Sequence, residues 1–425
     1  MAAGRRSVGR AFRAVAVDTS ALRDSRDYRL LVLGGFVSGL GTQLTLVALP
    51  YQVYVQTGSS LLVGLIGLAE LIPLVALSLI GGALADRGDR RRLLMLSQAA
   101  MLVCSLLLAL GAIAGSPPTA ALFVLAGLAA AASAVDRPAR SAMLPNVVGP
   151  ERLRAAISYN NGLFQLTRVV GPALAGIIIG TLGLRAAYGL DAASFLVMLA
   201  MVGLMRPQPA PQAGQPEPFL RSVRSGLSFA ARHGELMGSF AIDLVAMTFG
   251  MPRALFPALA LTVYNAGPEG VGLLYAAVSA GAVVAALTTG WLGHVRRLGR
   301  IVVGAVAVWG ASIALLGLTG KLAVAMVCLL AAGAADSVSA VCRSTIMQTA
   351  TPDAMRGRMG SIFTLVVAGG PRLGDVESGS VAAAFGVQAS VVSGGLLCML
   401  GIVPVVAAFP DFWRYGEDDE PAAPA

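Results

Sequence analysis

Among the ionisable side chains inside long apolar runs of this 425-residue chain are Glu70, Arg168, Asp243, Arg372, Asp375 and Glu377. A charge held in hydrocarbon costs on the order of 3 kcal/mol or more, so such residues pair, face water or carry function. A buried carboxylate that alternately takes and releases a proton can couple proton flow to another event. Glu70, Asp243, Asp375 and Glu377 are the candidates for that chemistry. Arg168 and Arg372 can each bind an anionic substrate, or pair with one of these carboxylates and hold helices together. Arg253 lies in the same run as Asp243. Asp136 and Asp336 have an arginine one or two turns further on, Arg140 and Arg343, a spacing that predicts ion pairs near the helix ends.

The surroundings that position these residues follow from composition. Hydrophobic residues make up 56% of the chain and charged residues 12%, against about 25% charged in an ordinary soluble domain. So few charges cannot coat a soluble fold of this length. Cys104, Cys328, Cys342 and Cys398 all lie in apolar runs without C-x-x-C spacing, and His233 and His294 stand far apart. No catalytic triad, metal cluster or disulfide framework is indicated, which argues against an enzyme. A membrane span takes about 20 mostly apolar residues. Twelve such runs are predicted, at 30–55, 60–84, 93–115, 120–139, 157–182 and 186–205, then 236–262, 270–293, 301–318, 322–342, 359–384 and 388–409.

The expected organisation is an N-terminal arm (1–29), a six-helix bundle (30–205), a linker (206–235), a second six-helix bundle (236–409) and an acidic tail (410–425). The linker opens Arg206-Pro-Gln-Pro-Ala-Pro211 and then reads as a basic amphipathic surface helix from Phe219 to His233. Of 31 basic residues, 26 fall in alternate connecting segments on one side. Arg185 and Lys321 fall on the other side, and Arg168, Arg253 and Arg372 lie inside spans. That asymmetry places both termini in the cytoplasm and explains the net charge of +9 without nucleic acid. The halves also repeat. Gly171-Pro172 in the fifth span matches Gly370-Pro371 in the eleventh, and Pro150-Glu-Arg-Leu-Arg154 matches Pro352-Asp-Ala-Met-Arg356. Pro172 and Pro371 remove a helical hydrogen bond, and Gly171 and Gly176 offer a small face for close helix packing. Duplicated halves suit alternating access around a midplane site.

The stretch Gly82-x-Leu-Ala-Asp86-Arg87-x-x-Arg90-Arg91 after the second span resembles motif A of the major facilitator superfamily. Pro138-Ala-Arg140-Ser-Ala-Met-Leu-Pro145, Arg168-Val-Val-Gly171-Pro172-Ala-Leu-Ala-Gly176 and Met347-Gln-Thr-Ala-Thr-Pro352-Asp-Ala-Met-Arg356 look like its enterobactin-exporter and drug-efflux branch. Asp89 stands where that family has glycine, and Thr167 replaces a glycine of its antiporter signature on span 5. The resemblance implies an all-α fold of twelve transmembrane helices in two pseudo-symmetric bundles. It also implies a gating latch built on Gly82, Asp86, Arg87, Arg90 and Arg91. The function it implies is export of small amphiphilic molecules, siderophore or drug-like, by proton antiport, with the proton gradient as energy source and no cofactor. The expected setting is a bacterial inner membrane, with a small-molecule substrate, lipid, no nucleic acid and a functional monomer. The alternatives are a broad multidrug pump, or a non-transporting receptor or assembly protein on the same fold.

Overall fold

The computed structural model describes residues 20–87, 89–208 and 219–416. The arm before residue 20, the loop residue Gly88, the Pro-rich part of the linker and the tail beyond 416 lie outside the described residues. Every described element is helical, as it must be where no water is at hand to satisfy backbone groups. Span 1 is Arg26–Thr57, span 2 Ser60–Arg87, span 3 Arg90–Ala114, span 4 Thr119–Val148, span 5 Leu153–Leu182 and span 6 Leu184–Gly203. Then come a linker helix Phe219–Ala230 and span 7, which starts as Gly234–Phe249. Span 8 is Gly267–Thr288, span 9 Leu298–Leu318, span 10 Leu322–Thr349, span 11 Asp353–Phe385 and span 12 Val387–Ala408, followed by a short helix Pro410–Arg414.

Among the described residues, 11 helical segments are long and apolar enough to cross a membrane. Asp353–Phe385, at 33 residues, has ample length but carries Arg356, Arg358, Arg372, Asp375 and Glu377, and falls short on apolarity alone. Span 7 differs from the unbroken helix that its sequence predicts. It stops at Phe249, and after Gly250-Met-Pro252 the chain resumes as a 3-10 turn, a short α segment and a π segment ending at Val263. Pro252 has no N–H to continue the ladder, which is why the helix ends there.

The repeat seen in sequence is a repeat in space. Span 2 packs on span 4, 3 on 6, 3 on 4 and 1 on 5, and the same pairings recur as 8 on 10, 9 on 12, 9 on 10 and 7 on 11. Spans 5 and 6 are joined by the single residue Gly183 (φ 80°), and spans 11 and 12 by Gly386 (φ 93°). Both need the left-handed backbone that only glycine enters freely. Each donates its N–H back into the preceding helix, to Ile179 and Ala382. Large apolar side chains such as Leu287 (82% exposed) and Phe385 (77%) cover the outer surface, the pattern expected where the solvent is lipid.

The halves meet through span 2 against span 11 and span 5 against span 8. These contacts are made by glycines near the end away from the arginine-rich loops. Gly64 and Gly67 lie on the backbone of Asp375 and Arg372, Gly379 on that of Ser60, and Gly272 on that of Pro172 and Gly176. Toward the arginine-rich end, Gly162 of span 5, Gly290 beyond span 8 and Gly360 of span 11 face open space. The glycine-faced contacts between the halves thus lie toward the end away from the arginine-rich loops.

Candidate functional site

At the break in span 7, side chains of three other spans hydrogen-bond to the backbone. Trp309 of span 9 donates its indole N–H to Gly250 O (2.7 Å). Tyr275 of span 8 donates its hydroxyl to Arg253 O (3.2 Å). Asp375 Oδ1 of span 11 accepts the Ala254 N–H (3.1 Å). Irregular backbone at membrane depth survives only where protein or a cavity accommodates it, and a broken helix of this kind is a recurrent feature of transporter sites.

Around this break two carboxylates and two arginines assemble where the halves touch. Asp375 Oδ2 lies 3.9 Å from Arg253 Nη2. Arg372 Nη2 lies 3.4 Å from Glu70 Oε2 of span 2, across the boundary between halves, while its Nη1 donates to Ala368 O (2.8 Å). Gly67 lets span 2 approach until it touches the Asp375 side chain. The four side chains are 15–34% exposed, and both pairs are longer than a tight charge-assisted hydrogen bond. Loose, partly solvated pairs exchange partners cheaply. Nε of Arg253 and of Arg372 is buried without a hydrogen-bond partner among the described residues.

The other residues singled out in sequence fall into separate places. Arg168 stacks on Phe164 (5.8 Å to the ring centroid) and makes no ion pair among the described residues. Of the two partners that sequence offers Glu70, Arg372 takes the role and Arg168 does not. Glu377, two residues beyond Asp375, has no hydrogen bond or ion pair among the described residues. Asp243 lies inside the second half, with Oδ1 2.5 Å from Arg343 Nη1. The expected Asp336–Arg343 pair is present only at 3.8 Å; Arg343 turns toward the carboxylate that is buried with it and gives its Nε to Ser339 Oγ (3.2 Å). Asp136 receives Arg140 at 3.2 Å, as its spacing predicts, and also Gln98 Nε2 at 2.6 Å.

Gly82, Asp86 and Arg87 lie in the last turns of span 2, with side chains outside the described residues. Arg90 is buried and donates to Ala142 O (2.7 Å), and Arg91 donates to Val202 O (2.9 Å) and Gly203 O (2.5 Å). These two arginines tie the start of span 3 to span 4 and to the end of span 6. Gly171 receives Gln43 of span 1, its repeat mate Gly370 receives Met247 of span 7, and Gly176 receives span 8 at Pro268. Pro172 and Pro371 stay within continuous helices.

Sequence reasoning overlooked Asp191. Its Oδ2 accepts hydroxyls from Thr45 (2.5 Å) and Ser105 (2.7 Å), and it is 2% exposed. The available signal was an Asp within the apolar run of span 6. Trp309 and Tyr275 were also missed, because nothing in their local sequence marks them as partners of a distant helix break.

Comparison with known proteins covers nearly the whole of this arrangement. A family model described as transmembrane secretion effector matches residues 19–415. Among curated proteins, the enterobactin exporter EntS of Citrobacter koseri is 30% identical over 392 residues, covering 91% of this chain and 93% of that protein. The enterobactin exporter EntS of Shigella boydii serotype 4 is 31% identical over the same extent. Among solved structures, the nucleoside transporter NupG superposes with a TM-score of 0.74 at 13% identity, covering 90% of this chain and 99% of that one. An inward-facing bacterial homologue of the lysosomal transporter Spinster gives 0.69 at 15%, covering 91% and 96%.

Proposed function

Because the chain belongs to the transmembrane secretion effector family of the major facilitator superfamily, and is thus a multi-pass membrane transporter, we propose that it exports siderophore-like anionic amphiphiles by proton antiport. The observation that carries this reading is the Glu70–Arg372 and Asp375–Arg253 assembly at the junction of the halves, wrapped around the broken span 7. Names of the relatives support the substrate class.

The chemistry follows from the geometry. Acidic oxygens of a catecholate-type substrate would compete for the guanidinium donors that Glu70 and Asp375 now occupy. Protonation of Glu70 removes its charge from Arg372 and loosens the tie between span 2 and span 11. Protonation of Asp375 weakens its hold on Arg253 and on the Ala254 N–H, and frees the second segment of span 7 to move. Protonation thus frees a guanidinium for the anion, so proton and substrate are linked through one set of residues, and the direction of their exchange is what the gradient assay reads. Asp243, with Arg343, is a brace in this scheme, and Asp136–Arg140 and Asp336 serve as ion pairs near the arginine-rich end. Gly82, Asp86, Arg87, Arg90 and Arg91 act as the latch that closes that end when the halves rock.

The asymmetry of the arginines supports an arginine-rich end in the cytoplasm of a bacterial inner membrane, from which substrate would be taken. The transporter works as a monomer and takes its energy from the proton gradient alone.

The test is a proteoliposome assay with a labelled catecholate siderophore and an imposed pH gradient. Gradient-driven uptake into inside-out vesicles is expected. Flux indifferent to the gradient would overturn antiport. Transport of hydrophobic cations in place of the siderophore would point to a multidrug pump, and absence of flux for both would favour a receptor role.

A further inference from the structure

Among the described residues, a cavity of about 540 Å³ that opens on the outer side of the first half belongs to none of the sites above. Its cause is the packing of three helices. Spans 2 and 3 both lie on span 4 but scarcely touch each other, and span 3 makes no substantial contact with the second half. The result is a trough facing the bilayer. Small residues of span 4, Ala131 and Ala132, form its floor, and Leu77 of span 2 and Leu96 of span 3 form its walls. Leu96 is 69% exposed and Leu128, at the upper rim, 53%. A lipid-facing helix surface is ordinarily convex; this one is concave and almost wholly apolar.

The end of the trough nearest the arginine-rich loops is marked by a charge. Of the three consecutive arginines that open span 3, Arg90 and Arg91 are spent on backbone carbonyls of spans 4 and 6. Arg92 is different: its side chain is 85% exposed, and among the described residues its one ion pair is a 3.7 Å contact to Asp89. Arg92 stands four residues before Leu96, eight before Ala100 and eleven before Val103, all of which line the trough. That spacing puts Arg92 on the same helix face, and its side chain points back toward the helix N-terminus. A cation at headgroup level thus continues directly into an apolar trough at acyl-chain level.

From this juxtaposition we infer that the trough between spans 2, 3 and 4 binds an anionic phospholipid of the leaflet on the arginine-rich side, its phosphate on Arg92 and one acyl chain along Leu96 and Ala131. The occupant is an anionic lipid rather than a neutral one because the cation at the mouth is exposed and its ion pair with Asp89 is loose.

Native mass spectrometry of the full chain, released from micelles holding equal phosphatidylglycerol and phosphatidylcholine with identical acyl chains, tests this directly. The protein should retain phosphatidylglycerol preferentially, by about fivefold, the value of one surface arginine acting on an anionic headgroup. Arg92→Glu should abolish the preference, and Ala131→Phe, which fills the floor, should lower retention of both lipids. The melting temperature of each variant in lipid-free detergent should match the parent, which separates a lost site from a lost fold. Equal retention of the two lipids by the parent protein, or an undiminished preference in Arg92→Glu, overturns the inference.

Discussion

Asp243 and Arg343 face each other across spans 7 and 10 with 2.5 Å between Oδ1 and Nη1, their side chains 2% and 4% exposed. The Glu70–Arg372 pair, with 34% and 21% exposure and a 3.4 Å gap, is its opposite in every respect. A sealed pair braces, because separating it strands two charges in a low-dielectric interior. A loose, partly exposed pair can be opened by one proton or one ligand.

Removing one partner of the sealed pair should therefore be costly. Arg343→Met should destabilise the protein by about 3–5 kcal/mol, seen as a fall in melting temperature in detergent. The double variant Asp243→Asn/Arg343→Met should recover most of that loss, since the sealed carboxylate no longer carries a charge and the one left behind, Asp336, is 35% exposed.

The loose pairs should behave differently. Glu70→Gln and Asp375→Asn should keep the melting temperature near that of the parent. Each should lower gradient-driven efflux by about fivefold to a hundredfold, the range of coupling free energies of 1–3 kcal/mol. Downhill exchange of substrate without a gradient should survive in Glu70→Gln, and its loss there would assign Glu70 to substrate binding instead of coupling.

The helix break gives a third expectation. Trp309→Phe keeps an aromatic ring of similar bulk but leaves the buried Gly250 carbonyl without its donor, at a cost of about 1–3 kcal/mol. Hydrogen exchange should rise around residues 250–255 while the rest of span 9 stays protected.

Closure between spans 5 and 8 depends on bare backbone. A Cβ at Gly272 would meet Pro172 O and the backbone of Gly176, so Gly272→Val should hold these spans apart. Spin labels at Thr181 and Asn265 should report a longer distance than in the parent, and Gly272→Ala a smaller increase.

The bundles, the repeat and the crowd of arginines at one end were legible because each is a pattern of residue type along the chain. The Asp136–Arg140 pair was legible for the same reason: its partners are four residues apart on one helix. The choice made by Arg343 was not. Sequence offers it Asp336 two turns away, yet its close partner is Asp243, 100 residues distant, and that preference is decided by which carboxylate is buried beside it. Asp191 escaped notice because Thr45 and Ser105, which hold it, come from two other helices. Gly250 and Pro252 carried the signal for the break in span 7, but the apolar run continues on both sides and masks it.

The glycine-faced contact between the halves has a mechanical consequence. Where two protein surfaces interdigitate, parting them demands that many side chains leave their rotamer wells together. Gly64, Gly67, Gly176, Gly272 and Gly379 present flat backbone instead, with little to unlock. What resists the parting of the halves is then the Glu70–Arg372 pair that bridges them and the apolar core that both halves share, rather than interlocked side chains along these glycines.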